Sequence, residues 1–187
     1  MRPVPTVVAR TGLAAALTAS LFTATGCGLR PSPAEGTMEP ATVAFTIPTA
    51  EAGPGVTGRP YGCGDLLVPV QTVPVSGDRA HAAVDFLFAS ARKDTHGDPP
   101  LHNAVAATAD TLTFTGHETR GDTEVFTFTG TVTAADTCAA ERIRAQLQET
   151  ARAQSSAAQV RLEVDGQPLD DVLGLAPLEL GAETMTP

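Results

Sequence analysis

The chain has no tryptophan, one tyrosine and only 4% aromatic residues among its 187. A core of stacked rings is excluded, so burial has to come from Val, Leu and Ala together with Phe86, Phe88, Phe114, Phe126 and Phe128. Basic residues are also scarce, 12 against 21 acidic ones, for a formal charge of −9. A surface of that sign repels phosphate backbones and anionic lipid heads, which argues against nucleic-acid binding and against a basic helix lying on a membrane. The sequence lacks Gly-x-Ser-x-Gly, a Walker phosphate loop, His-Glu-x-x-His, a dinucleotide fingerprint and Cys-x-x-Cys. Ser76, Ser90, Ser155 and Ser156 have no base nearby in sequence. No catalytic residue, cofactor or metal is expected, and the chain reads as a non-enzyme; paired carboxylates that only folding would bring together escape this kind of reading.

One apolar run stands out, Thr11 to Thr23, behind Arg2 and Arg10. At about 13 residues it is too short to span a bilayer by itself and has the form of a targeting segment, residues 1–26. It ends in Ala24-Thr25-Gly26-Cys27, which resembles the bacterial lipobox: small side chains admit a peptidase, and a thiol at the new N-terminus can accept a diacylglycerol. The usual Leu is replaced by Ala24, so ordinary secretion and an uncleaved anchor stay open. Cys27 is the expected lipid-attachment residue, which would make the bilayer the first partner and the outer face of the cell membrane the location. Removing the leader takes away two arginines and leaves a more acidic mature chain.

Residues 27–58 are rich in Pro and Gly, with Pro31, Pro33, Pro40, Pro48 and Pro54, and read as a semi-extended tether. Within it Thr42 to Ile47 alternates like a strand and could dock as an added edge. Residues 59–175 carry the patterned sequence of one domain, and 176–187 read as a loose tail. Leu66 to Val75 is the first strand of that domain, kept short or at an edge by Pro69 and Pro74. Asp78 caps a helix whose stripe is Ala80, Ala83, Val84, Leu87, Phe88 and Ala91. Leu101 to Ala107 suggests a helical turn; strands around Leu112–Thr115 and Glu124–Val132 join through Arg120-Gly121-Asp122. A second helix, about Ala139 to Gln154, turns Ala140, Ile143, Leu147 and Ala151 inward and its charges outward, and Val160 to Val164 is the last strand. The order strand-helix-strand-strand-helix-strand predicts an α+β, two-layer sandwich, with two helices on one face of a small mixed sheet of about four strands.

Three stretches in this order resemble the GerMN domain, a bacterial extracytoplasmic module of sporulation and germination proteins and of lipoproteins. They are Gly62-Cys-Gly-Asp-Leu-Leu-Val-Pro-Val70, the Thr137-Cys138 opening of a helix that contains Ala145-Gln-Leu147, and Val164-Asp-Gly-Gln-Pro-Leu-Asp-Asp-Val-Leu173. The resemblance covers about Arg59 to Leu175 and implies a small α/β domain without known catalytic residues, related in shape to modules that assemble envelope complexes. The loop from Lys93 to Pro100 has no counterpart in that pattern.

Three cysteines suit an exported protein: Cys27 for lipid, and Cys63 and Cys138 for each other, in positions a two-layer fold can bring together. The rival reading is a reactive thiol at Cys138, at a helix N-terminus. His81, His96, His102 and His117, with Asp94 and Asp98, invite a metal site, but a Pro-Pro loop gives no spacing that makes ligands converge, and solvated polar groups are favoured. Arg120-Gly121-Asp122 spells an adhesion tripeptide yet suits a turn on backbone grounds, and Asp165, Asp170 and Asp171 lack the spacing of a calcium loop. The leading expectation is a membrane-anchored, non-catalytic interaction module with an envelope protein partner. The alternative is a lipoprotein that binds a small molecule or cell-wall fragment for a transporter or sensor.

Overall fold

The computed structural model describes residues 38–93 and 95–177. The chain divides into two compact units at residues 35 and 36, and every described residue lies in the second. The domain therefore starts ahead of the expected boundary at residue 59. The reason is strand β1, Glu39–Pro48, which the sequence reading left within the tether. Its prolines, Pro40 and Pro48, lie at its ends and leave Ala41–Ile47 free to pair. From Val43 to Ile47 every residue is buried.

β2 (Arg59–Tyr61) and β3 (Asp65–Val75) follow, and β3 runs antiparallel to β1 from Pro48 opposite Asp65 to Glu39 opposite Val75. β2 pairs only with Asp65–Leu67. Pro69 and Pro74 thus fall where the outer side of β3 has no strand beside it, in agreement with the edge expected for this segment. Near one end the register shifts, and Thr72 Oγ1 accepts the Ala41 N–H at 3.0 Å in place of a ladder bond.

Helix α1 (Arg79–Ser90) is capped by Asp78, which accepts from the N–H groups of Ala80 and His81. It buries Ala80, Ala83, Val84 and Leu87, while Phe86 stays exposed. The expected helical turn at 101–107 is split: Leu101–His102 is β5, paired with β4 (Thr95–His96) and with Thr46 of β1, and only Ala104–Ala107 is a 3-10 turn. β6 (Leu112–Arg120) and β7 (Thr123–Gly130) form the expected hairpin around Gly121-Asp122.

Helix α2 (Thr137–Gln154) then crosses back so that β8 (Gln159–Val164) lies parallel to β7, and β9 (Gln167–Pro168) returns across Asp165-Gly166 into the short helix α3 (Leu169–Leu173). Asp165 and Gly166 have φ of 49° and 80°, the left-handed pair that a tight two-residue hairpin needs.

The architecture is α+β, but with two sheets instead of the one expected: five strands in the order β2-β3-β1-β5-β4, all antiparallel, and four mixed strands in the order β6-β7-β8-β9. The cause is again β1, which takes β3 as its partner and so separates it from the β6–β7 hairpin. Both main helices pack on the first sheet, chiefly on β1, and also touch β6 and β8 of the second. One buried cluster joins Phe45, Val84, Leu87, Phe126, Phe128, Ile143 and Leu147. No described helix is long and apolar enough to cross a membrane.

Candidate functional site

Two strands leave an edge toward α2, and the helix answers both with polar side chains. On β1, β5 pairs only at Thr46. Ala44, opposite Pro69 of β3, donates its N–H to Thr150 Oγ1 of α2 at 3.0 Å. Gln154 Nε2 donates to Thr42 O at 2.6 Å. Thr150 is fully buried, and these bonds seal that edge.

The edge of β8 is covered less completely. β9 pairs only with Glu163 and Val164. The N–H groups of Gln159 and Asp165 donate to Asp122 O and Phe128 O, on the β7 side. Backbone groups alternate along a strand, so those of Val160 and Leu162 face the opposite side. There Val160 O accepts from Gln148 Nε2 of α2 at 2.8 Å. Beside this edge runs a groove of about 300 Å³, lined by the apolar Val160, Leu162 and Leu169 and by the polar Arg144, Gln148 and Arg161. Pro168–Asp171 and Pro177 line it as well. Arg144 and Gln148 also line a smaller hollow of about 140 Å³ next to Arg59, Tyr61 and Gly62, so one trough follows the helix.

The charges along α2 were expected to face water. Arg152 does, but Arg142, Arg144 and Glu149 hold other elements. Arg142 Nε donates to Asp65 Oδ2 at 2.5 Å, and the Asp65 side chain is only 3% exposed. Partial burial and the Asp65 carboxylate push the Tyr61 hydroxyl above its ordinary range, and the same carboxylate raises Arg142 against the opposing effect of burial. Arg144 pairs with Asp170 at 3.4 Å and donates to Ala176 O at 2.9 Å, and Glu149 meets Arg59 at 2.9 Å. Gln146, fully buried, accepts from Ala104 N–H at 2.7 Å and donates to Asn103 Oδ1, while Asn103 Nδ2 donates to Leu87 O and Ser90 Oγ. That network locks α1, α2 and the 3-10 turn together.

Cys63 and Cys138 form a disulfide, with 5.8 Å between their Cα atoms, and the reactive-thiol reading of Cys138 falls with it. Cys27 and Asp94 lie outside the described residues, as do the leader and most of the tail. The histidines are spread over separate places. His96 Nε2 bonds Ser90 O beside the Phe45 ring; His102 faces Glu51 at 3.8 Å; His81 faces Asp85 at 3.5 Å. His117 joins Glu124 through Nδ1 at 2.5 Å and Asp78 through Nε2 at 3.1 Å, with its ring stacked on Phe126. Burial works against a charge on His117, but the two carboxylates outweigh it and raise its pKa. Burial likewise opposes the Asp78 charge and is outweighed by the helix amides and His117, so Asp78 is lowered.

Among the described residues no group of three His, Cys, Asp or Glu side chains is placed to hold a metal ion. Gly121-Asp122 is the loop of the β6–β7 hairpin, between the paired Arg120 and Thr123. Asp165 accepts the Gly130 N–H in the β8–β9 turn, whereas Asp170 and Asp171 line the groove. Sequence reasoning did not select Arg144, Gln148 or Arg161. The available signal was the cluster of polar residues on the α2 flank next to the inward stripe, read there as solvated. Compared with protein-family models, curated proteins and solved structures, the chain has no match.

Proposed function

We propose that this domain is a non-catalytic interaction module of the cell envelope, carried on the outer face of the membrane by a lipid on Cys27 and akin to GerMN domains. The observation that carries the reading is the groove between α2 and the open edge of β8. It is shallow and partly polar, and it runs beside backbone groups that another chain can pair with. The most reactive-looking cluster supports a structural role, because the ring nitrogens of His117 are taken up by Glu124 and by the carboxylate that caps α1. The alternative, binding of a small molecule or wall fragment, is less favoured. At about 300 Å³ the groove is at the lower limit for such pockets, and it is open along its length.

The test is a crosslinking pull-down from membranes, with the wild-type chain beside Cys27→Ala. One dominant envelope protein recovered only with the anchored form supports the reading. A chain that remains folded and membrane-bound but captures no protein, while wall fragments bind it, overturns it. Recovery of the wild type from the soluble fraction, with Cys27 unmodified by mass spectrometry, refutes the anchor.

A further inference from the structure

We infer that the β8 groove takes one extended peptide strand of a partner protein, with apolar and acidic side chains in alternation. This rests on the reading of the domain as an interaction module and names the chemistry of its partner. The edge sets the backbone requirement. Val160 and Leu162 direct their peptide groups away from β7, and on that side no described strand pairs with β8 ahead of Glu163. A strand in the groove gains ladder bonds there and displaces Gln148 from Val160 O.

The two faces of β8 set the side-chain requirement. Val160, Leu162 and Val164 are buried on the core side, and Leu169 extends that apolar floor. Alternate residues of the incoming strand that point to this side must be apolar. Arg161 points to the other side, 60% exposed. Its contact with Glu163 is 3.7 Å long, and Glu163 is shared with Arg120 at 3.4 Å. A carboxylate across the new ladder from Arg161 gains a cation that its own neighbour holds weakly. Arg144, already on Asp170 and Ala176 O, walls the groove and adds little free charge. The groove has a volume of only about 300 Å³ and is lined at Pro168–Asp171 as well, which favours a single segment over the edge of a second sheet.

The probe is a capped heptapeptide of alternating valine and glutamate, titrated into the full chain in detergent micelles and followed by amide NMR. The expected result is a shift of the Val160 and Leu162 amide signals, with hydrogen exchange there slowed about tenfold or more. A valine–lysine peptide binds about tenfold more weakly, and Arg161→Glu, a change at an exposed position, reverses the preference. N-methylation of the central peptide amides abolishes binding. Binding that survives N-methylation, or that shifts other amides, overturns the inference. So does protection of Val160 and Leu162 without peptide: if independent of protein concentration the chain covers its own edge, and if it grows with concentration a second copy does. A negative titration beside a positive pull-down sinks this inference alone, and the reverse pattern sinks only the pull-down reading.

Discussion

Replacing Cys63 and Cys138 together by alanine should cost the domain about 4 kcal/mol. The bond joins positions 75 residues apart, and freeing a loop of that length in the unfolded chain is worth about 4.5 kcal/mol in the chain-entropy treatment. The folded state should keep its shape without the bond, because Arg142 on α2 still grips buried Asp65 at the start of β3, two residues from position 63. Alanine keeps the backbone strain unchanged, since Cys63 has φ of 61° and any residue with a Cβ feels that conformation. Urea unfolding is the assay: with a slope of about 2 kcal/mol per molar, the midpoint should fall by about 2 M. A second variant, Cys63→Gly with Cys138→Ala, separates strain from cross-link. Glycine relieves about 1–2 kcal/mol at a left-handed position and loses about 0.4–1 kcal/mol through the freer unfolded chain, so it should be the more stable of the two. A loss below about 1 kcal/mol in the alanine pair, or a glycine variant weaker than the alanine one, would refute the reasoning.

Three other changes test the core of the argument. His117 has a raised pKa in the folded state, so its contribution is complete below about pH 6.5 and is lost as pH rises through the folded value, whereas lowered Asp78 contributes above about pH 3.8 and loses its share as pH falls through its own folded value. The stability gap between wild type and His117→Gln should therefore be widest in mildly acidic buffer and shrink toward about pH 9; a gap that grows with pH contradicts this sign. Gln146→Leu leaves the Ala104 N–H without its acceptor and removes one of the two donors to Asn103 Oδ1, which keeps the Val105 N–H, and should cost about 1–3 kcal/mol by urea unfolding although it adds apolar volume. Gly130→Ala places a Cβ 2.1 Å from Thr111 O at φ of 113°, against backbone that cannot yield, and should lower the melting temperature by several degrees or more; an unchanged melt would show that the strand moves freely there.

Elements whose own periodicity carried the signal were legible in the sequence. The stripe of α1, the Asp78 cap, the β6–β7 hairpin and the Asp165-Gly166 turn all follow from local spacing, and local spacing is what a sequence displays. β1 was recognised as strand-like but left in the tether, because six prolines from Pro31 to Pro60 dominated the composition of its surroundings. Its two terminal prolines do not interrupt Ala41–Ile47, and a continuous buried run from Val43 to Ile47 outweighs a Pro-rich average. That one strand also decides the sheet count. Without it β3 has to seek a partner in the hairpin, and a single sheet is the natural conclusion.

The groove was illegible for a different reason. Thr150, Gln154 and Gln148 on α2 are ordinary polar residues in sequence, and a helical wheel gives them no role. Their function depends on which strand edge the helix passes, which is set by the crossover from β7 to β8 and by the place of β1 in the first sheet. Thr150 and Gln154 meet the part of the β1 edge that lies beyond the single β5 pairing at Thr46, where the Ala44 N–H finds its acceptor in Thr150 Oγ1 and Thr42 O finds its donor in Gln154. Gln148 makes a single bond, to Val160 O, at an edge that stays open on its outer side. A seal of two bonds, one from a fully buried threonine, resists exchange with an incoming strand, whereas one bond from a half-buried glutamine costs little to replace. The same helix therefore closes one edge with two bonds and meets the other with one, and that difference is why the proposed docking of a partner strand is assigned to β8 rather than to β1.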